Sequence, residues 1–161
     1  MAPQTQAPKG SGIGFVAVQA ILLGILFFGP AHFNADASIE PPNDLLLWFG
    51  YGIFILGIII ALIAAVNLGK NLTPLPRPKE NAELIQRGLY RFVRHPIYFG
   101  VILLSLGWGL MQQSTLVWLY VLMIAIFFDI KSHKEEQWLV GRFSTYTDYQ
   151  GRVRKLIPWV Y

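Results

Sequence analysis

The sequence predicts an all-α integral membrane bundle of four transmembrane helices, with a cytoplasmic loop and a C-terminal amphipathic helix. Three observations carry that prediction. Of 161 residues, 54% are hydrophobic and only 14% charged, where soluble domains average about 25% charged. The apolar residues gather into runs of membrane-spanning size, and mean hydropathy is +0.46. The basic residues all fall on one side if four helices cross in alternation. The chain has no cysteine, which excludes disulfides, zinc–thiolate sites and cysteine nucleophiles; no metal site is expected.

The first run, Ile13–Phe28, extends to Phe33, giving a span over 13–33. The second occupies 45–66 and holds 22 positions without a charge. Both meet the roughly 20 residues that a bilayer core requires. Two shorter runs, Ile97–Met111 and Thr115–Ile130, flank Gln112-Gln113-Ser114 and read as a tight helical hairpin over 96–130. The whole chain, 1–161, is then one membrane domain with a loop at 67–95 and a tail at 131–161. The bland alternative is a long buried helical pair in a soluble protein.

Lysine and arginine set the orientation. Counted by segment from the N-terminus, they number one, none, six, none and six. The segment 31–44 carries only acids, Asp36, Glu40 and Asp44. This pattern places both termini, the 67–95 loop and the tail in the cytoplasm, in a membrane such as the bacterial inner membrane. It also accounts for an isoelectric point near 9.5 without nucleic acid, for which the sequence shows no motif. Ala35-Asp36-Ala37 has the small-x-small form of a signal-peptide cleavage site, but it lies well beyond Phe28 and only Lys9 precedes the run. The first run is therefore read as a retained span.

Polar chemistry concentrates in the loop and the tail, on one face. Pro74, Pro76 and Pro78 favour an extended path. A short helix is expected from Lys79 to Arg87, with Leu84 and Ile85 facing inward and Gly88 as its stop. Arg94-His95-Pro96 then stands where the third span enters the membrane. Proline suits a first helical turn, and the free N–H groups beside Arg94 and His95 form a place for a carboxylate or phosphate. The alternative is that Arg94 reaches to lipid phosphates and His95 merely ends the turn.

The tail brings Asp129, Lys131, Glu135 and Glu136 next to the membrane. Acidic groups there are costly unless paired or used. Lys131 and Glu135 share a helix face, and Leu139, Phe143, Tyr146 and Val153 continue an apolar stripe. A solvated amphipathic helix lying on lipid is the competing reading. The hairpin brings His95 and Glu135 to the same membrane face.

Arg94-His95-Pro96-Ile97-Tyr98-Phe99-Gly100 resembles the Arg-His-Pro-x-Tyr-x-Gly signature of isoprenylcysteine carboxyl methyltransferases, much of which phospholipid N-methyltransferases share. Glu135-Glu136-Gln137-Trp138-Leu139, followed by Phe143, Tyr146, Tyr149, Val153 and Ile157-Pro158, is similar to the family's second block. The likeness covers residues 67 to 161 and leaves the first two spans without a signature. It implies an integral membrane enzyme using S-adenosyl-L-methionine, with the cofactor in a pocket that the C-terminal segment caps. By position, the implied cofactor contacts are Leu84, Ile85, Tyr90, His95, Pro96, Ile97, Tyr98 and Glu135. Lys131 stands where the prenylcysteine enzymes carry an arginine for the substrate carboxylate, and Phe143-Ser144 replaces their Phe-Gly.

The resemblance implies in-line transfer of a methyl group from a sulfonium to a lipophilic or small amphipathic acceptor at the cytoplasmic membrane face. The protein's part is alignment and exclusion of water. Lys131 or Arg94 would orient a carboxylate acceptor; Glu135 or Glu136 would take a proton from an amine. The expected partners are that acceptor and membrane lipids, with no nucleic acid. Two alternatives remain: an NADPH-dependent sterol-reductase-like membrane oxidoreductase, and a non-catalytic membrane lipid-binding protein.

Overall fold

A computed structural model describes residues 12–32 and 43–161. The described residues form five α-helices, two short 3₁₀ turns (Gly69–Asn71 and Gly88–Arg91) and no strand: α1 Ile13–Phe28, α2 Asp44–Leu68, α3 Pro96–Gln112, α4 Thr115–Arg142 and α5 Tyr146–Arg152. Two segments, Asp44–Asn71 and Thr115–Arg142, are long and apolar enough to cross a membrane. α1 and α3 are shorter, at 16 and 17 residues. Phe33, Asp36, Glu40 and the Ala35–Ala37 segment lie outside the described residues.

The helix boundaries follow local chemistry. Asn43 caps α2 by accepting from the N–H groups of Leu45 and Leu46 at 3.0 and 3.2 Å, satisfying donors that a helix start leaves open. Pro96 occupies the first turn of α3, where its missing N–H costs nothing. Gln113 ends α3 in the left-handed region, with φ 47°. Its side-chain amide pairs both ways with the Asn43 backbone at 3.1 Å, tying the hairpin turn to the start of α2. Ser114 donates to Ala31 O, so the same end of the molecule also holds the segment after α1.

Glycines set the closest helix pair. A methyl group added at Gly57 of α2 would meet Gly100 O at 2.6 Å, and one at Gly107 of α3 would meet Gly50 O at 2.7 Å. Backbones therefore pack directly, the small-residue mode of membrane helix association. On the other side, Leu26, Val117, Val121, Ile124 and Phe128 form a buried cluster between α1 and α4. Trp108 joins α3 to it, donating to Leu26 O at 2.9 Å.

Two expectations are corrected. Residues 79–87 do not form a helix; the chain there is irregular. Asn71 explains why: its side-chain amide donates to Glu83 O and accepts from Glu83 N, each at 3.2 Å. That pairing spends the Glu83 backbone groups a helix would use. Gly88 accordingly stops no helix. It turns the chain at φ 62°, packed against Asn67, whose Oδ1 accepts from Leu89 N at 2.9 Å. Second, the fourth apolar helix does not end at 130, and the tail is not one amphipathic helix. α4 continues to Arg142, and a separate short α5 follows. The 28 residues of α4 reach about 42 Å, well beyond a bilayer core of about 30 Å.

The tail then returns to the start of α3. Val93 and Arg154 make a single parallel bridge, with Arg94 N donating to Arg154 O at 2.8 Å and His95 N to Lys155 O at 3.1 Å. Lys155 pairs with Asp129 at 2.5 Å, so that membrane-proximal acid is compensated.

Candidate functional site

A cavity of about 350 Å³ lies where α1, the end of α2, the 72–85 loop, the start of α3, α4 and α5 meet. That is within the range of small-molecule sites. Its α4 wall is one helical stripe, Phe128, Lys131, Glu135 and Leu139, spaced three or four residues apart so that all face one way, with Phe143 just past the helix end. Pro74, Pro76 and Pro78 line the opposite side.

Of the residues the sequence singled out, Leu84, Ile85, Tyr90, Arg94, His95, Ile97, Tyr98, Lys131 and Glu135 all line this cavity. Pro96 and Glu136 do not. Both are buried behind the wall.

The polar groups form two connected sets. Tyr98 donates its hydroxyl to Glu135 Oε2 at 2.5 Å, and its ring stacks on His95 at 5.3 Å and 2°. His95 Nδ1 lies 3.8 Å from the same Glu135 oxygen. Behind them, Glu136 is fully engaged. Its Oε1 takes Arg94 Nε at 2.6 Å and His95 Nε2 at 3.0 Å, and its Oε2 takes Gln150 Nε2 at 3.0 Å. Arg94 Nη2 also donates to Glu136 Oε2 at 3.3 Å, and its Nη1 donates to the Gln150 and Val153 carbonyls. Arg94 touches the cavity, but its guanidinium is committed to the tail.

Lys131 is only 1% exposed. Its ammonium donates to Gln19 Oε1 at 2.5 Å and to Pro74 O at 3.0 Å, and sits 5.2 Å over the Tyr98 ring. Its described partners are neutral oxygens; it does not form the i,i+4 ion pair with Glu135 that spacing allows. Gln19 is the residue that sequence reasoning missed here. The signal was available, because an amide within an apolar helix seeks a partner.

At the α5 end of the cavity, Tyr149 donates to Tyr90 O, and the Tyr146 and Tyr149 rings meet edge to face at 5.7 Å. Burial, with the nearby charge of Glu135, pushes the Tyr90 phenol well above its usual range, and burial does the same at Tyr146 and Tyr149. All three stay neutral. On the outer surface, Lys70 pairs with Glu83 at 2.7 Å and holds the Glu83 carboxyl below its ordinary range, while Lys79 donates to Lys70 O at 2.7 Å. These bonds staple the loop closed across the cavity.

The helical layout and the paired Arg94–Glu136 block point to one class, and comparison with known sequences states it. The sequence model of the phospholipid methyltransferase family matches residues 45–146, and the chain belongs to that family. Among individual relatives, protein-S-isoprenylcysteine O-methyltransferase B of Arabidopsis thaliana is 30% identical over 116 residues, covering 70% of this chain and 59% of the relative. Methanethiol S-methyltransferase 1 of Bradyrhizobium diazoefficiens is 39% identical over 93 residues, 57% of this chain and 30% of the relative. The isoprenylcysteine O-methyltransferase of Dictyostelium discoideum is 29% identical over 130 residues, 72% of this chain and 51% of the relative. The chain thus spans between about a third and three fifths of the length of these relatives.

Proposed function

We propose that this chain is an integral membrane methyltransferase that uses S-adenosylmethionine and a lipophilic or small amphipathic acceptor. One observation carries the reading. In a member of a methyltransferase family, a cavity walled by α4 runs from Phe128 to Leu139, a helical rise of about 16 Å, and changes character along the way. Apolar and aromatic groups form both ends, and Lys131, Glu135 and His95 lie between them.

The donor set suits the cofactor. Glu135 would accept from its hydroxyl or ammonium groups, with Tyr98 fixing the carboxylate. Tyr90, Leu84 and Ile85 would line the nucleoside, His95 and Ile97 the middle of the cavity, and Pro96 would set the turn that presents them. When bound, the cofactor supplies a methyl group already activated on a sulfonium. The chain's own residues then orient the acceptor and keep water out.

Lys131, whose hydrogen-bond acceptors are neutral oxygens, would orient an anionic acceptor group. Arg94 and Glu136 are read as positioning residues that hold His95 and the tail. The relatives' names give O-methylation of isoprenylcysteine and S-methylation of methanethiol, so the acceptor is proposed by class. The same reading takes all four long helices as spans, α1 and α3 crossing as short ones with local thinning of the bilayer. Both termini, the loop and the tail lie in the cytoplasm.

Calorimetry on the purified protein tests this directly. S-adenosylhomocysteine should bind with one-to-one stoichiometry, and NADPH should give no heat. Binding of NADPH without binding of S-adenosylhomocysteine would overturn the proposal.

A further inference from the structure

Tyr146 is 1% exposed and forms part of the cavity wall, yet its hydroxyl is buried with no hydrogen-bond partner among the described residues. Native proteins rarely leave a buried hydroxyl unpaired, and such a group calls for an explanation. The neighbours supply none. Tyr149 is bonded to Tyr90 O, Tyr98 to Glu135, and the Glu136 oxygens to Arg94, His95 and Gln150.

The placement tells what is missing. Along α4 the cavity wall passes from Lys131 to Glu135, then Leu139 and Phe143, and Tyr146 follows one turn into the tail. This end adjoins the contacts that Arg94 and Glu136 make with Gln150 of α5, and their charges act on the Tyr146 hydroxyl. The walls of this end are Leu139, Phe143 and Tyr149, and the loop residues Leu84 and Ile85 line the same cavity. A flat, weakly polar heteroaromatic ring suits such walls. A neutral phenol then adds one directional bond to the ring's edge, and burial keeps Tyr146 neutral.

We propose that the Tyr146 hydroxyl is a cofactor-binding group that recognises the nucleoside end of S-adenosylmethionine through a hydrogen bond to its purine. This rests on the cofactor assignment above. It adds a residue from the tail helix α5 to a site otherwise assembled from the loop, α3 and α4. It also gives the tail a part in recognition beyond closing the cavity.

Tyr146→Phe tests it, because the substitution keeps the ring and removes only the hydroxyl. Calorimetry with the full chain should show S-adenosylhomocysteine and 5′-methylthioadenosine each losing affinity by about tenfold, the loss of one buried hydrogen bond. The ligand-free variant should melt at the same temperature as the parent or higher, since an unpaired polar atom has gone. Failure of the parent to bind S-adenosylhomocysteine would defeat the cofactor assignment itself. Equal binding by parent and variant would overturn the Tyr146 proposal alone. So would a loss seen with S-adenosylhomocysteine but not with methylthioadenosine, which would move the contact to the amino-acid end. A lower melting temperature of the ligand-free variant would show an internal bond and overturn it as well.

Discussion

Glu135 and Glu136 are neighbours in sequence with opposite surroundings. Successive helical residues point about 100° apart, so Glu135 faces the cavity and Glu136 faces the tail. Two variants should separate these roles. Glu136→Ala strands Arg94, whose side chain is 11% exposed, and removing one partner of a buried pair costs about 3–5 kcal/mol. Its melting temperature should fall sharply, and proteolysis should attack the tail. Glu135→Gln should melt almost as the parent does but bind S-adenosylhomocysteine about 1–3 kcal/mol more weakly. A stable Glu136→Ala would sink this division of labour. Lys131 gives a second prediction at this scale. Lys131→Ala should leave cofactor affinity nearly intact and impair methyl transfer to an anionic acceptor, whereas Lys131→Arg, which keeps the charge and adds a fork, should retain turnover. Equal turnover in all three proteins would remove Lys131 from the acceptor side.

At the scale of elements, the proline loop and the glycine-lined helix pair do different work. Pro74, Pro76 and Pro78 line the cavity on a segment that bends at residues 74–77, a shape that a flexible segment would lose entropy in adopting. Replacing all three with alanine should raise the dissociation constant for S-adenosylhomocysteine while far-ultraviolet circular dichroism stays unchanged. An unchanged constant would reduce the loop to a connector. The α2–α3 contact should answer to bulk. Gly100→Ala places a methyl 2.7 Å from Gly57 O, closer than side chains approach backbone. It should lower the melting temperature in detergent, and Gly52→Ala, where the added group meets nothing, should not. Similar melting of the two variants would show that α2 and α3 can separate at no cost. The prolines kept a helix out of this segment because proline acts locally, but the expected extended path is corrected to a bent one at residues 74–77. The irregular path of 79–87 was not legible, since it depends on Asn71 from a preceding turn.

For the whole molecule, the proposed orientation predicts the response of reporters fused at Thr73, Gln113 and the C-terminus. Thr73 and the C-terminus should report the cytoplasm and Gln113 the opposite face; Gln113 on the same side as Thr73 would rule out four alternating spans. By itself the sequence determined the helical class, the start of α3 at Pro96, the residues lost from charge to make the apolar runs, and the polar blocks that carry the family likeness. These are legible because hydrophobic periodicity, proline and charge asymmetry act over a few residues or sum along the chain. Only the tertiary structure decided that α4 runs on to Arg142, that Gln19 of α1 reaches Lys131, that Glu136 is spent on Arg94 and His95, and that Tyr146 is left unpaired. Each of these depends on the rotation of one helix against another segment distant in sequence. No local pattern encodes that angle, because it is set by the packing of the whole bundle and by which buried polar groups find a partner.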